Sequence, residues 1–219
     1  MLKITQAERD AVYKTIFNRR DVRAEFKPDT IPDDVLKRIL TAAHHAPSVG
    51  FMQPWDFVIV RSEQTKQKLK QGFIQANAEA ETLFEGERKA QYSALKLEGI
   101  LEAPIGICVT CDRTRTGPVV LGRTTNLDMD LYSSVCAVQN LWLAARAENI
   151  GVGWVSILHD EVLHQTLGIP EHIVPIAYLC LGYVSKFYDQ PELEKRGWLK
   201  RQSLSSIIHE GQWQAKSHK

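Results

Sequence analysis

The sequence has little that would commit it to a specialised class. Four cysteines in 219 residues are no disulfide framework, and a chain of this length buries enough surface to fold without one. Its 27 Lys and Arg against 26 Asp and Glu leave a formal charge of +1, which excludes a general electrostatic grip on nucleic acid or an anionic membrane. Any anion it binds must be held by a local cluster. No apolar run approaches the roughly 20 residues of a membrane helix. The longest is about Ile173 to Val184, and the opening residues Met1 to Glu8 lack the apolar core of a signal peptide. No repeat or Gly/Ser-rich linker divides the chain, and neither a P-loop nor a G-x-S-x-G nucleophile turn is present. The expectation is one soluble, cytoplasmic domain of ordinary globular composition, 44% hydrophobic and 24% charged.

What is present is regular. Thr5 with Glu8 three residues on is a capping-box pattern, followed by Val12, Ile16 and Phe17 on one helical face. Val35, Leu36, Ile39, Leu40 and Ala43 predict a second helix from about Pro32 to His45, with Pro47 just past its end. Polar helices are expected over 63–80 and 87–101, a long one over 128–149 stopped at Gly151, and a short one over 160–167. Strands are expected over 55–61, 105–111, 153–157 and 176–183. By itself this interleaving suggests an α/β sheet. The irregular stretches 112–127 and the tail beyond Ser185 are long enough to be lids or partner-binding arms.

Several apparent signals carry no chemistry. Cys108 and Cys111 form a C-x-x-C pair inside a predicted strand, where residues three apart face opposite ways and cannot share a metal. The histidines, His44-His45 and His159 with His164, lack the i, i+4 spacing of a helical metal site. Gly151-Val152-Gly153 follows a helix and precedes a strand, the reverse of a dinucleotide fingerprint. No metal is expected.

Two segments remain. Asn18-Arg19-Arg20-Asp21-Val22-Arg23 is the densest cation cluster, and its guanidiniums can clamp a phosphate; a solvated charged turn is the alternative. Ala46-Pro47-Ser48-Val49-Gly50-Phe51-Met52-Gln53-Pro54-Trp55 is a turn-rich loop that can lie along a flat ligand or be an ordinary packed connection. Together, and with Leu97-Glu98-Gly99-Ile100, Cys111 to Arg115, Met129-Asp130-Leu131-Tyr132 and Gly151 to Ile157, they are specific. From about Phe17 to Tyr183 the chain resembles the FMN-dependent nitroreductase superfamily, and within it the 5,6-dimethylbenzimidazole synthase family.

The resemblance implies an α+β fold with a mainly antiparallel central sheet flanked by helices. It implies a single domain over 1–219, residues 186–219 forming an extended C-terminal arm exchanged within a homodimer. In this family reduced FMN is the substrate, molecular oxygen breaks it down, and the products are 5,6-dimethylbenzimidazole, the lower ligand of vitamin B12, and D-erythrose 4-phosphate. No metal takes part, and a separate flavin reductase supplies the reduced FMN. Carried over residue by residue, Arg19 and Arg23 match phosphate-binding positions, with Arg20 and Asp21 beside the ribityl chain. Pro47 and Ser48 line the isoalloxazine, the Gly153 to Ser156 strand approaches its other edge, and Arg201 matches a second phosphate arginine. Asp21 is the expected acid/base, with an ion-pair partner that orders Arg20 or Arg23 as the alternative. Ser156 is the expected hydrogen-bond partner of flavin N5 or of a flavin peroxide, with a small packing residue as the alternative, and Lys96 is expected to reach in from a lid. Phe51-Met52 stands where many nitroreductases carry a polar residue, which implies an apolar roof above the ring. The competing expectations are an NAD(P)H-dependent nitroreductase or flavin reductase, and a non-catalytic flavin-binding protein.

Overall fold

The computed structural model describes residues 3–214. Helix α1 (Gln6–Asn18) starts where the capping pattern places it: the Glu8 N–H donates to Thr5 Oγ1 at 3.3 Å and the Thr5 N–H to Glu8 at 2.7 Å. None of its residues is buried, and Val12 and Phe17 are 56% and 68% exposed. The apolar face read from the sequence is therefore open. Helix α2 (Asp33–His44) buries Leu36, Ile39 and Ala43, one stripe of its surface.

Strands β1 (Trp55–Val60), β2 (Ile105–Asp112), β3 (Ile150–Val155) and β4 (Ile173–Tyr183) form one sheet in the order β1-β2-β4-β3, every neighbouring pair antiparallel. The element order alone suggests an α/β sheet because helices and strands interleave, whereas the sheet is wholly antiparallel. Here both faces are covered although the sheet is antiparallel. Ile107, Val109, Leu179 and Leu181 face α2 and α5 (Met129–Ala147), while Cys108, Tyr178 and Cys180 face α3 (Glu63–Glu81) and α6 (Asp160–Leu167). Strand β4 begins before Pro175, which the sequence reading placed outside it. The register slips between Val109 and Thr110, and at such a bulge a proline needs no ladder N–H.

Helix α4 (Gly86–Ser93) ends well before the expected Leu101. In the irregular stretch that follows, the buried Glu98 carboxylate accepts the Ile100 N–H at 2.8 Å, replacing a helical bond. The chain parts into two compact units between Asp189 and Gln190. The second holds the one-turn helix α7 (Glu192–Lys195), a 3-10 turn at Leu204–Ser206, and a His209–Trp213 ring stack at 4.5 Å. Among the described residues no helix is long and apolar enough to cross a membrane.

Candidate functional site

The chain leaves α1 at Asn18 and becomes extended at Arg19, whose φ is −67° and ψ 135°. This segment lies along the outer edge of β3. Asp21 bridges to Val152 in parallel, and the Val22 N–H donates to the Val152 carbonyl at 3.0 Å. The approach is close enough to dictate the residue on the other side. A Cβ on Gly153 would stand 2.0 Å from the Val22 carbonyl oxygen, so only glycine fits. The Gly-x-Gly that fails as a dinucleotide fingerprint is thus one wall of a slot for the arginine segment.

Asp21 is fixed in that slot at both oxygens. Oδ1 accepts the Trp154 backbone N–H at 2.9 Å, and Oδ2 pairs with Arg23 Nη2 at 2.7 Å. About 30% of its side-chain surface stays open, yet burial raises its pKa above the ordinary carboxylate value, opposed by the Arg23 charge, the Trp154 N–H and Arg19. A carboxylic acid tuned upward, beside cations and open on one side, suits proton transfer.

The three arginines differ. Arg19 lies over the Trp142 ring, with its Cζ 4.7 Å from the centroid. Arg20 turns inward: Nη1 donates to the Phe17 and Arg19 carbonyls at 2.8 and 2.7 Å, and Nη2 to the Asp189 carbonyl. Its Nε is buried without a hydrogen-bond partner. Arg23 forms the pair with Asp21. Ser156 lies just beyond β3, exposed, two residues from the Trp154 amide; the sequence reading had it inside the strand.

The Pro47–Trp55 loop packs at the other end of α5. The Val49 N–H donates to Ser133 Oγ at 3.2 Å, and the Gln53 N–H to Ser48 Oγ at 3.1 Å. Gly50 has φ 59°, and a Cβ there would meet the Leu121 carbonyl at 2.6 Å. Phe51 and Gln53 also have positive φ, 53° and 45°, a costly conformation for residues with side chains. Phe51 points to solvent at 80% exposure while Met52 is buried at 2%, so the two expected roof residues face opposite ways. A cavity of about 290 Å³ opens beside Pro47, Ser48, Tyr132, Ser133 and Cys136. From Ser133 to Trp142 the helix rises roughly 14 Å, so loop and arginine segment occupy opposite ends of α5 within one chain.

The 112–127 stretch is tied down. Buried Asp130 receives Arg123 Nη1 at 2.6 Å and Arg113 Nε at 3.2 Å, and Arg115 holds the Gln53 and Trp55 carbonyls at 2.9 and 3.0 Å. Asp130→Asn strips the counter-charge from a buried arginine, and a loss of about 3 kcal/mol is expected in urea unfolding. Lys96 sits in the irregular stretch after α4, not on a helix, and pairs with Glu98 and Glu102 at 2.6 and 2.7 Å. In the second unit, the Arg201 N–H donates to Glu194 at 3.1 Å.

Cys108 packs among Tyr178 and Cys180, whereas Cys111 lies toward Ser134, so the C-x-x-C pair does divide between the faces. Burial pushes the Cys108 thiol up to about 12. All four cysteines are free, and no group of three or more metal-ligating side chains occurs among the described residues.

The nitroreductase family model matches residues 16–183, from the end of α1 to the end of β4. The chain belongs to the nitroreductase family. Within it, the chain is 42% identical to a 5,6-dimethylbenzimidazole synthase of Rhodospirillum rubrum over 84% of this chain and 86% of that one. It is 36% identical to a protein of the same name from Rhodobacter capsulatus, over 90% and 95%. Among solved structures, iodotyrosine deiodinase bound to FMN and 3-iodo-L-tyrosine superposes with a TM-score of 0.74 at 20% identity, covering 92% of this chain and all of that one, a likeness of fold. This nitroreductase-family chain uses one residue that the sequence reading passed over. Trp142 contacts both Arg19 and, through its indole N–H at 3.3 Å, the Arg20 carbonyl. Its one sequence signal is the i, i+4 spacing to Arg146, whose Nε donates to the Asn18 carbonyl at 3.1 Å.

Proposed function

We propose that this chain is a 5,6-dimethylbenzimidazole synthase, which takes reduced FMN as substrate and, with molecular oxygen, breaks it into 5,6-dimethylbenzimidazole and D-erythrose 4-phosphate. The observation that carries the reading is the 42% identity to a synthase over 84% of the chain, in which the slotted Asp21 is the group equipped for proton transfer. The residues fit an FMN. Arginines on an extended segment supply donors for a phosphate, and the Arg20 Nε is a buried donor awaiting an acceptor. The Pro47–Ser48 turn presents backbone to a flat ring, and bound FMN supplies the reactive ring that oxygen attacks.

Around it, Arg19 and Arg23 hold the phosphate, while Arg20 braces the segment against the backbone. Asp21 moves the proton at the first ribityl carbon. The Ser156 hydroxyl bonds the ring edge at N5, and Phe51, the exposed member of its pair, shields the opposite face from bulky substrates. Lys96 is bound into the Glu98–Glu102 ion pairs and serves as a brace rather than a ligand group.

The protein works as a homodimer in this reading. The open apolar face of α1, the exposed Tyr132 and Val135 of α5, and an apolar cleft of about 340 Å³ between the two helices form one surface that a second copy covers. A separate reductase delivers reduced FMN, and four free thiols fit the cytoplasm.

The test mixes purified protein with chemically reduced FMN in air and follows products by chromatography and mass. 5,6-Dimethylbenzimidazole with loss of flavin is expected, absent from an anaerobic control. Flavin returned intact with steady NAD(P)H oxidation instead indicates a nitroreductase or flavin reductase. Intact flavin without turnover indicates a binding protein.

A further inference from the structure

We infer that Trp142 is a positioning residue for the phosphate clamp: its ring orients the Arg19 guanidinium before the phosphate of FMN arrives. The inference rests on the reading of Arg19 as a phosphate ligand. Trp142 is on α5, buried to 8% exposure, and its indole makes two contacts with one short segment. The ring face takes the Arg19 guanidinium at 4.7 Å, and the ring N–H donates to the next residue's carbonyl at 3.3 Å. Trp154, whose backbone N–H holds Asp21, packs against the same ring at 6.3 Å between centroids. One indole thus links the proposed phosphate arginine to the proposed proton-transfer group.

The chemistry explains why an aromatic ring serves here. A carboxylate that holds an arginine through its N–H fork neutralises it and competes with a phosphate for both charge and donors. A ring face attracts the cation without engaging any N–H donor, and tryptophan is the strongest such partner. Anchoring the indole through its own N–H to the segment backbone fixes the ring relative to the side chain it carries. Arg146, one turn along α5, braces the same segment at the Asn18 carbonyl.

The experiment compares binding of oxidised FMN with riboflavin, which has the same ring and ribityl chain but no phosphate, by quenching of flavin fluorescence. In the wild type FMN binds more tightly. Trp142→Leu is expected to weaken FMN about ten-fold and to leave riboflavin within about two-fold. Trp142→Tyr and Trp142→Phe keep a ring, test the site should the leucine variant not fold, and are expected to grade the FMN preference as Trp, Tyr, Phe. Equal weakening of both ligands marks Trp142 as core packing and overturns the inference, as does an unchanged preference across the series. Arg19→Ala separates this failure from a deeper one. If that variant also keeps the FMN preference, the phosphate assignment of Arg19 is wrong and the role of Trp142 falls with it.

Discussion

Asp21→Asn is expected to bind FMN within about two-fold of the wild type and to form less than about one hundredth of its 5,6-dimethylbenzimidazole. The variant keeps the shape that fills the slot, and its amide oxygen still accepts the Trp154 N–H that Asp21 accepts at 2.9 Å. It loses the ability to take and return a proton. Binding and turnover are measured separately, by flavin fluorescence and by product mass, so a loss of both in parallel shows a structural role instead. Normal product formation removes Asp21 from the chemistry.

Stability carries an independent signature of the same group. Because burial raises the pKa of Asp21, the folded protein holds its proton at a pH where the unfolded chain has released it. The wild type therefore loses stability as pH climbs from the ordinary carboxylate range, about 4, through the raised folded value. Asp21→Asn has no such ionisation, so its melting temperature relative to wild type should rise between about pH 4 and pH 7. A relative fall over that interval means the Arg23 pair outweighs burial.

Gly153→Ala is expected to cost about 3 kcal/mol in urea unfolding and to weaken FMN at least about ten-fold. The added methyl would lie 2.0 Å from the Val22 carbonyl oxygen, a backbone atom that no rotamer change can move. Relief requires the arginine segment to lift off the edge of β3. That breaks the Val22–Val152 hydrogen bond at 3.0 Å and the Trp154–Asp21 bond at 2.9 Å together. Wild-type affinity in the alanine variant means that the segment can retreat without disturbing the clamp, and the slot then has no part in binding.

The sequence by itself determined whatever depends on near neighbours along the chain. The Thr5–Glu8 box started α1 and the apolar stripe of α2 faced the core, because caps and periodicity act over a few residues. The stop expected at Gly151 falls earlier: α5 ends at Ala147, the left-handed turn is at Asn149, and Gly151 lies inside β3. Family motifs within the sequence also singled out Asp21, Arg19 and the Pro47–Ser48 turn, whose chemistry is readable as a pattern. Tertiary structure decided the rest. Strand direction depends on pairing between distant segments, and apolar strands covered on both faces read the same in a parallel or an antiparallel sheet. Helix α4 ends at Ser93, and in the irregular stretch beyond it the buried Glu98 carboxylate takes the Ile100 N–H and pairs with Lys70 and Lys96, partners that no local pattern names. Phe51 and Met52 share one pattern, yet positive φ at Phe51 sends one outward and the other into the core. Asp21 meets the Trp154 amide, and Arg19 meets Trp142, across more than a hundred residues of chain. Such contacts follow from how the helices close over the sheet, and no local pattern in the sequence encodes that closure.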